Sequence, residues 1–267
     1  MKHEPPANVY VPSSAFVKSI LPTARRKDGV ALAEGERTAM LALEGSWRPR
    51  ALILETSFAA SDAAKPFRRL AEKSRTDVHT FNRAAMEKIS SCETAPEVAV
   101  LVAPPATKFE DSPAPASRLL VLDRIGDPGN AGTLVRSAAA FGFSTVLTTG
   151  SVSLINEKFI RSTAGNCFLP GAVAQAGDSG TLAEFLHGHH FTMLALMPRA
   201  EKTLGQINIP ASGRVALVLG NETAGVDASA WRRAAAVRIP MRPGVESLNV
   251  AMSGAIALYE LSRAELS

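Results

Sequence analysis

Beyond residue 118 the chain repeats one pattern: a short, continuously apolar run, a loop, and a helical stretch. The apolar runs fall at 119–122, 145–147, 168–173, 191–196 and 215–219, and helical periodicity at 131–141, 157–163, 181–187 and 250–263. A strand that is apolar at every position is buried on both faces. That marks a parallel sheet covered by helices on both sides, not a hairpin sheet with one wet face. The pattern predicts an α/β fold. In such sheets ligands gather beyond the carboxyl ends of the strands, in the loops that lead into helices.

The first hundred residues read as a smaller α/β unit. Helical periodicity over 13–21 stops at Pro22, further helices are expected at 36–43 and 63–73, and strands at 30–32, 51–54 and 98–103. The stretch 103–117 holds four prolines in fifteen residues. Proline fixes φ and removes a donor, so this reads as an extended linker or a long surface loop. The organisation expected is a first domain over 1–105, a linker over 106–117 and a second domain over 118–267. A chain of 267 residues allows it, at ~150 residues per domain.

Composition removes whole classes. No apolar run reaches the ~18–20 residues of a membrane span. The first ten residues carry charge and two prolines but lack the apolar stretch of a secretory signal. Cys92 and Cys167 are too far apart for a metal spacing and too few for a disulfide framework, which suits a reducing cytoplasm. Net charge is +4, unevenly spread. Residues 1–100 hold 15 Lys/Arg against 12 Asp/Glu (+3), and the rest 14 against 13 (+1). The basic excess permits nucleic acid as a partner of the first unit.

Familiar catalytic patterns do not hold. His187, His189 and His190 lack acidic or cysteine partners at ligand spacing, so no metal site is expected. Residues 177–180, Gly-Asp-Ser-Gly, echo a serine-protease loop, but in an alternating strand–helix context. No phosphate-binding P-loop, dinucleotide fingerprint or nucleophile elbow occurs. Three unusual loops remain. In 127–137, Pro128 and Gly129 force a turn, Asn130 suits a helix N-cap, and Arg136 lies further along that helix. In 219–225, Gly220-Asn221-Glu222 directly follows an apolar strand. In 239–260, a short strand meets Pro240, loops, and enters an Ala-rich helix through Ser247 and Asn249. Each alone reads as a turn with a helix cap. Together, each at a strand end, they suggest one composite pocket.

These stretches resemble the motifs of the SpoU family of RNA 2′-O-ribose methyltransferases, in the SPOUT superfamily. The N-x-G-x-x-x-R run is present as Asn130, Gly132 and Arg136, the G-N-E loop as 220–222, and the third motif as Ile239-Pro240-Met241 with Ser247-Leu248-Asn249-Val250. Residues 159–173 also resemble the family's connector, and the match runs from Arg118 to the end. More weakly, residues 1–105 resemble the small ribosomal-protein-like RNA-binding domain that precedes many of these enzymes. Two positions depart from the pattern: Thr223 replaces a common glycine, and Pro96 is followed by Glu97 and Val98 instead of Gln-Gly.

The resemblance implies a parallel α/β domain tied in a deep trefoil knot, with S-adenosylmethionine bent within it. It also implies a homodimer with the active site across the interface, and no metal. The substrate implied is RNA, ribosomal before transfer RNA. Carried over by motif, Arg136, Asn130, Glu222, Ser247 and Asn249 are catalytic, while Gly220, Asn221, Ile239, Met241 and Leu248 hold the cofactor. Arg136 would lie beside the 2′-hydroxyl, as base or as activator. A guanidinium seldom gives up its proton, so binding the neighbouring phosphate and stabilising the alkoxide suits it better. Two other readings stand beside this one: a non-catalytic RNA-binding or ribosome-assembly factor on the same scaffold, and an ordinary nucleotide-binding α/β enzyme.

Overall fold

Four of the five apolar runs beyond residue 118 become parallel strands. The structure, a computed structural model, describes residues 9–10, 13–112, 115–207 and 213–266. The reading of residues 1–8 as lacking a signal, and Pro113 of the expected linker, lie outside the described residues. The chain divides into two compact units, residues 1–105 with 155–170, and residues 106–154 with 171–267.

The first unit contains β1 (Val9–Tyr10), α1 (Ser14–Ser19), α2 (Pro22–Lys27), β2 (Ala31–Glu34), α3 (Glu36–Glu44) and β3 (Arg48–Glu55). After these come α4 (Thr56–Ala59), α5 (Lys65–Lys73), β4 (Asp77–Phe81), α6 (Arg83–Ile89) and β5 (Val98–Ala103). The strands form a mixed sheet in the order β1-β4-β3-β5-β2, with β5 antiparallel to both of its neighbours. The helix expected over 13–21 does end ahead of Pro22, as α1, but Pro22 does more than stop it. It starts α2 at the first helical position, where its missing N–H costs nothing.

The second unit contains β6 (Arg118–Asp123), α7 (Pro128–Ala140) and β7 (Ser144–Leu147). The chain then returns to the first unit for α8 (Glu157–Ser162). It comes back for β8 (Val173–Gln175), α9 (Ser179–Gly188), β9 (Thr192–Leu196), β10 (Lys202–Thr203), β11 (Val215–Gly220), β12 (Ala235–Arg238) and α10 (Val250–Leu266). Seven parallel strands run in the order β10-β12-β9-β11-β6-β7-β8. All six residues of β11 are buried. Its Leu217 and Val218, fully enclosed, each contribute about 1.5–3 kcal/mol. One apolar cluster joins Val121, Val146, Leu182, Met193, Val218 and Trp231. Elsewhere α10 lies so close to α7 and β11 that a Cβ at 254 would stand 2.2 Å from Leu134 Cδ2 and 2.6 Å from Leu219 Cδ1, and those leucines would have to shift to admit it.

Three expectations need correction. The second domain is not the continuous stretch 118–267, because residues 155–170 pack within the first unit. The fully buried Arg25 donates from Nε to Glu157 Oε1 at 2.9 Å, and Phe168 meets Trp47 edge-on with ring centroids 5.0 Å apart. A buried guanidinium needs such a carboxylate, so this contact fixes where the segment belongs. Next, 168–173 is not a strand. Gly165 turns with φ +83°, a 3₁₀ turn covers 166–168, and Pro170-Gly171 delays the strand to Val173. Finally, the proline-rich stretch is not wholly a free linker. Phe109 is buried in the second unit's core, and Glu110 accepts the Gly177 N–H at 2.7 Å.

Candidate active site

In the sheet β9 lies between β12 and β11, and β6 flanks β11 on its other side. Parallel alignment sends their carboxyl ends to one edge. The loops after β9, β11 and β12 therefore meet and line a cavity of about 780 Å³. Gly220, Asn221, Ile239, Met241 and Leu248 all line it, as do Glu222, Ser247 and Asn249.

The β11 loop is tightly wound. Gly225, at φ +70°, donates its N–H to Asn221 O at 2.8 Å. Asn221 Oδ1 accepts the N–H groups of Thr223 and Ala224, each at 3.0 Å, as asparagine does in such turns. A Cβ on Gly220 would fall 2.2 Å from the backbone of Gly225 and Val226, so the strand end packs directly on its own loop. Thr223 does not need a positive φ, so the family's common glycine is dispensable there.

Asn130 is not the cap of α7. Asp127 is, accepting the Asn130 N–H at 2.7 Å, with Pro128 in the first turn. That leaves the Asn130 side chain free to bond outward. Its Nδ2 donates to Glu222 Oε1 at 3.2 Å, and its Oδ1 accepts from Asn249 Nδ2 at 3.1 Å. Asn249 Oδ1 in turn caps α10, accepting from Ala251 at 2.8 Å and Met252 at 3.2 Å. With its oxygen committed to the helix, Asn249 offers its amide N–H₂ to Asn130, and Asn130 offers its own to the carboxylate. One hydrogen-bonded chain thus joins the three motifs through Asn249, Asn130 and Glu222.

Arg136 is not part of that chain. It is exposed on α7, does not line the cavity, and makes no hydrogen bond or ion pair among the described residues. Ser247 lines the cavity without a hydrogen bond of its own among those residues.

Sequence reasoning missed Asp123 and Arg124. Asp123 ends β6 fully buried, and accepts from Trp231 Nε1 at 3.1 Å, from Thr148 Oγ1 at 3.2 Å and from the Ser179 hydroxyl. Arg124 follows at φ +59°, a costly backbone for an arginine. Its N–H donates to Thr148 Oγ1 at 3.1 Å and its carbonyl accepts from Asn221 Nδ2 at 3.0 Å, so bonds on both sides hold it there. The Arg124 guanidinium also stands 3.6 Å from Asp123. Beyond the β11 loop, the Ser229 hydroxyl, with the N–H groups of Ala230 and Ser229, holds the Asp227 carboxyl below the usual range and fixes the turn. The loop 197–200 was missed as well. Its one signal was Pro198 just after an apolar run.

A parallel sheet with a nucleoside-sized cavity at its carboxyl edge defines an α/β protein that binds a small ligand there, beside a polar chain able to touch a second molecule. The particular family follows from comparison: the chain belongs to the SpoU rRNA Methylase family, whose model matches residues 117–259. It is 32% identical over 185 residues to the 23S rRNA (guanosine(2553)-2′-O)-methyltransferase of Bacillus subtilis, covering 68% of this chain and 71% of that protein. It is 29% identical over 251 residues to the 23S rRNA (uridine(2479)-2′-O)-methyltransferase of Streptomyces viridochromogenes, covering 91% and 86%. A tRNA/rRNA methyltransferase of Synechocystis, itself uncharacterized, is 38% identical, but the match spans 58% of this chain and 57% of that protein. The fold recurs in the AdoMet-bound rRNA methyltransferase of Sinorhizobium meliloti, with a TM-score of 0.83 at 24% identity over 97% of this chain and 98% of that one.

Proposed function

We propose that the chain transfers a methyl group from S-adenosylmethionine to a ribose 2′-hydroxyl of ribosomal RNA. The observation that carries the reading is the hydrogen-bonded chain Asn249–Asn130–Glu222 beside the cavity, on the positions of the family's three motifs. The relatives named above as 2′-O-methyltransferases act on 23S rRNA, which favours that substrate class.

The cavity fits the cofactor. Its volume of about 780 Å³ suits a nucleoside with a short side arm, and glycine at 220 keeps its floor close. Gly220, Asn221, Ile239, Met241 and Leu248 would hold it through backbone groups and apolar contact. When bound, it supplies a methyl group activated by a sulfonium, which leaves as a neutral thioether. The chain's task is then alignment and proton handling. Glu222, oriented by Asn130, accepts a hydrogen bond from the ribose. The Arg136 guanidinium grips the adjacent phosphate and stabilises the negative charge that develops on the oxygen. Ser247 completes the hydrogen bonds around the target.

The further organisation belongs to the same reading. The second unit is tied in a deep trefoil knot. The first unit is a ribosomal-protein-like RNA-binding module, supported by its +4 charge (17 Lys/Arg against 13 Asp/Glu) and by Lys65, Arg68, Arg69 and Lys73 on α5. The chain is a homodimer in the cytoplasm, supported by the half-exposed Met252, Ile256 and Tyr259 along α10. Mapping 2′-O-methylated positions in rRNA from cells with and without the protein tests the reading. One position should lose its mark without the protein. An unchanged map rejects rRNA as the substrate.

A further inference from the structure

The cavity is lined by two formally charged residues, Glu222 and Arg199. Glu222 is already bonded to Asn130. Arg199 is exposed and has no hydrogen bond or ion pair among the described residues. Its place follows from the topology. β9 lies between β11 and β12, so the loop after β9 emerges between the two loops that form the rest of the cavity. The backbone there is fixed. Met197 N–H donates to Val237 O at 2.8 Å, and Ala200 N–H closes a turn on Met197 O at 3.2 Å. Pro198 sits at the second position of that turn, where its locked φ is preferred. Arg199 is the next residue, so a rigid turn presents a free guanidinium to the cavity.

A cavity with an unpaired guanidinium on its wall is suited to a carboxylate, which that group can bind through two parallel hydrogen bonds. S-adenosylmethionine carries one carboxylate, at its amino-acid end. Resting on the reading that the cavity takes this cofactor, we infer that Arg199 holds the cofactor's carboxylate. It thereby selects S-adenosylmethionine over analogues that lack the acid, and it fixes which end of the cavity receives the amino-acid arm. The residue belongs to cofactor specificity, and none of the three family motifs contains it.

The test is titration calorimetry on the full chain with S-adenosylmethionine and with its decarboxylated analogue, for the wild type, Arg199→Ala and Arg199→Lys. The wild type should bind the acid about tenfold to hundredfold more tightly than the analogue, the range expected for hydrogen bonds to a charged group. Arg199→Ala should lose that preference while binding the analogue at least as well as the wild type does. Arg199→Lys, which keeps the charge but not the fork, should retain part of it. Equal weakening of both ligands in Arg199→Ala overturns the inference, as does no weakening at all. A loss confined to rRNA affinity also overturns it and assigns Arg199 to a phosphate. If the wild type binds neither ligand, the assignment of the cavity to this cofactor falls first.

Discussion

Asn249 does two jobs with two ends of one amide, and substitution can separate them. Its oxygen caps α10, and its nitrogen donates to Asn130. Asn249→Ala removes both. Loss of the cap costs about 1 kcal/mol, within a range of about 0.5–2, and the exposed amide–amide bond adds about 0.5–1 kcal/mol. For a unit of this size that lowers its melting transition by about 3–8 °C. Asn249→Asp keeps the cap, because aspartate accepts the same N–H groups equally well. It cannot donate to Asn130. Asn130 has one acceptor and one donating group, and would then have a carboxylate on each side. Whichever way its amide turns, one carboxylate loses its bond, so Glu222 is held in only one of the two orientations. The aspartate variant should therefore melt within about 1 °C of the wild type, as its cap is equivalent. Its methyl transfer should fall about tenfold or more, the equivalent of one hydrogen bond to a charged group. Thermal denaturation and single-turnover methyl transfer on the same preparations read the two effects apart. If the aspartate variant melts as low as the alanine variant, or transfers methyl at the wild-type rate, the chain through Asn130 does not orient Glu222.

Other perturbations test the supports of the site. Gly254→Ala should destabilise the second unit by about 1–2 kcal/mol, overpacking against Leu134 and Leu219 outweighing the gain in helix propensity, and Leu134→Ala in the same chain should cancel much of the cost. Equilibrium denaturation of the double-mutant cycle checks this, and additive losses would refute it. Glu157→Ala strands the buried Arg25, so the first unit should lose about 3–5 kcal/mol while the second unit's transition stays in place, as two-probe unfolding would show. Burial pushes the Cys167 thiol up to about 12, so at pH 8 about one molecule in ten thousand carries the reactive thiolate there. Alkylation of the native protein should spare Cys167 until the chain unfolds, and peptide mapping after iodoacetamide treatment reads this directly.

What could be read in the sequence depended on how local each determinant is. β6 and β11 are apolar at nearly every position, so their burial on both faces was legible without a partner. β4 was missed because Asp77, His79 and Thr80 interrupt its apolar character, and the strand is held by neighbours distant in sequence. The 155–170 segment has a clear local helix but no local sign of which core it joins. Contacts with residues distant in sequence settle that, Arg25 to Glu157 across 132 positions and Trp47 to Phe168 among them. At the site eight of the ten motif residues line one cavity, Asn130 and Arg136 do not, and the connectivity among them was not readable. The exchange of Asn130 for Asp127 as the α7 cap frees the side chain that links the three loops. Asp123, buried in a network with Thr148, Ser179 and Trp231, looked like one more residue at a strand end.

On the function proposed, the three loops build a site for methyl transfer to a ribose oxygen. Purified protein, S-adenosylmethionine labelled on its methyl group and rRNA stripped of modification test it in one experiment, read after complete alkaline hydrolysis. A 2′-O-methyl group blocks cleavage at its own linkage, so the account predicts label in alkali-resistant dinucleotides, and none with Asn130→Ala combined with Glu222→Ala. Label released in mononucleotides would mean that a base is the acceptor, and would contradict the account.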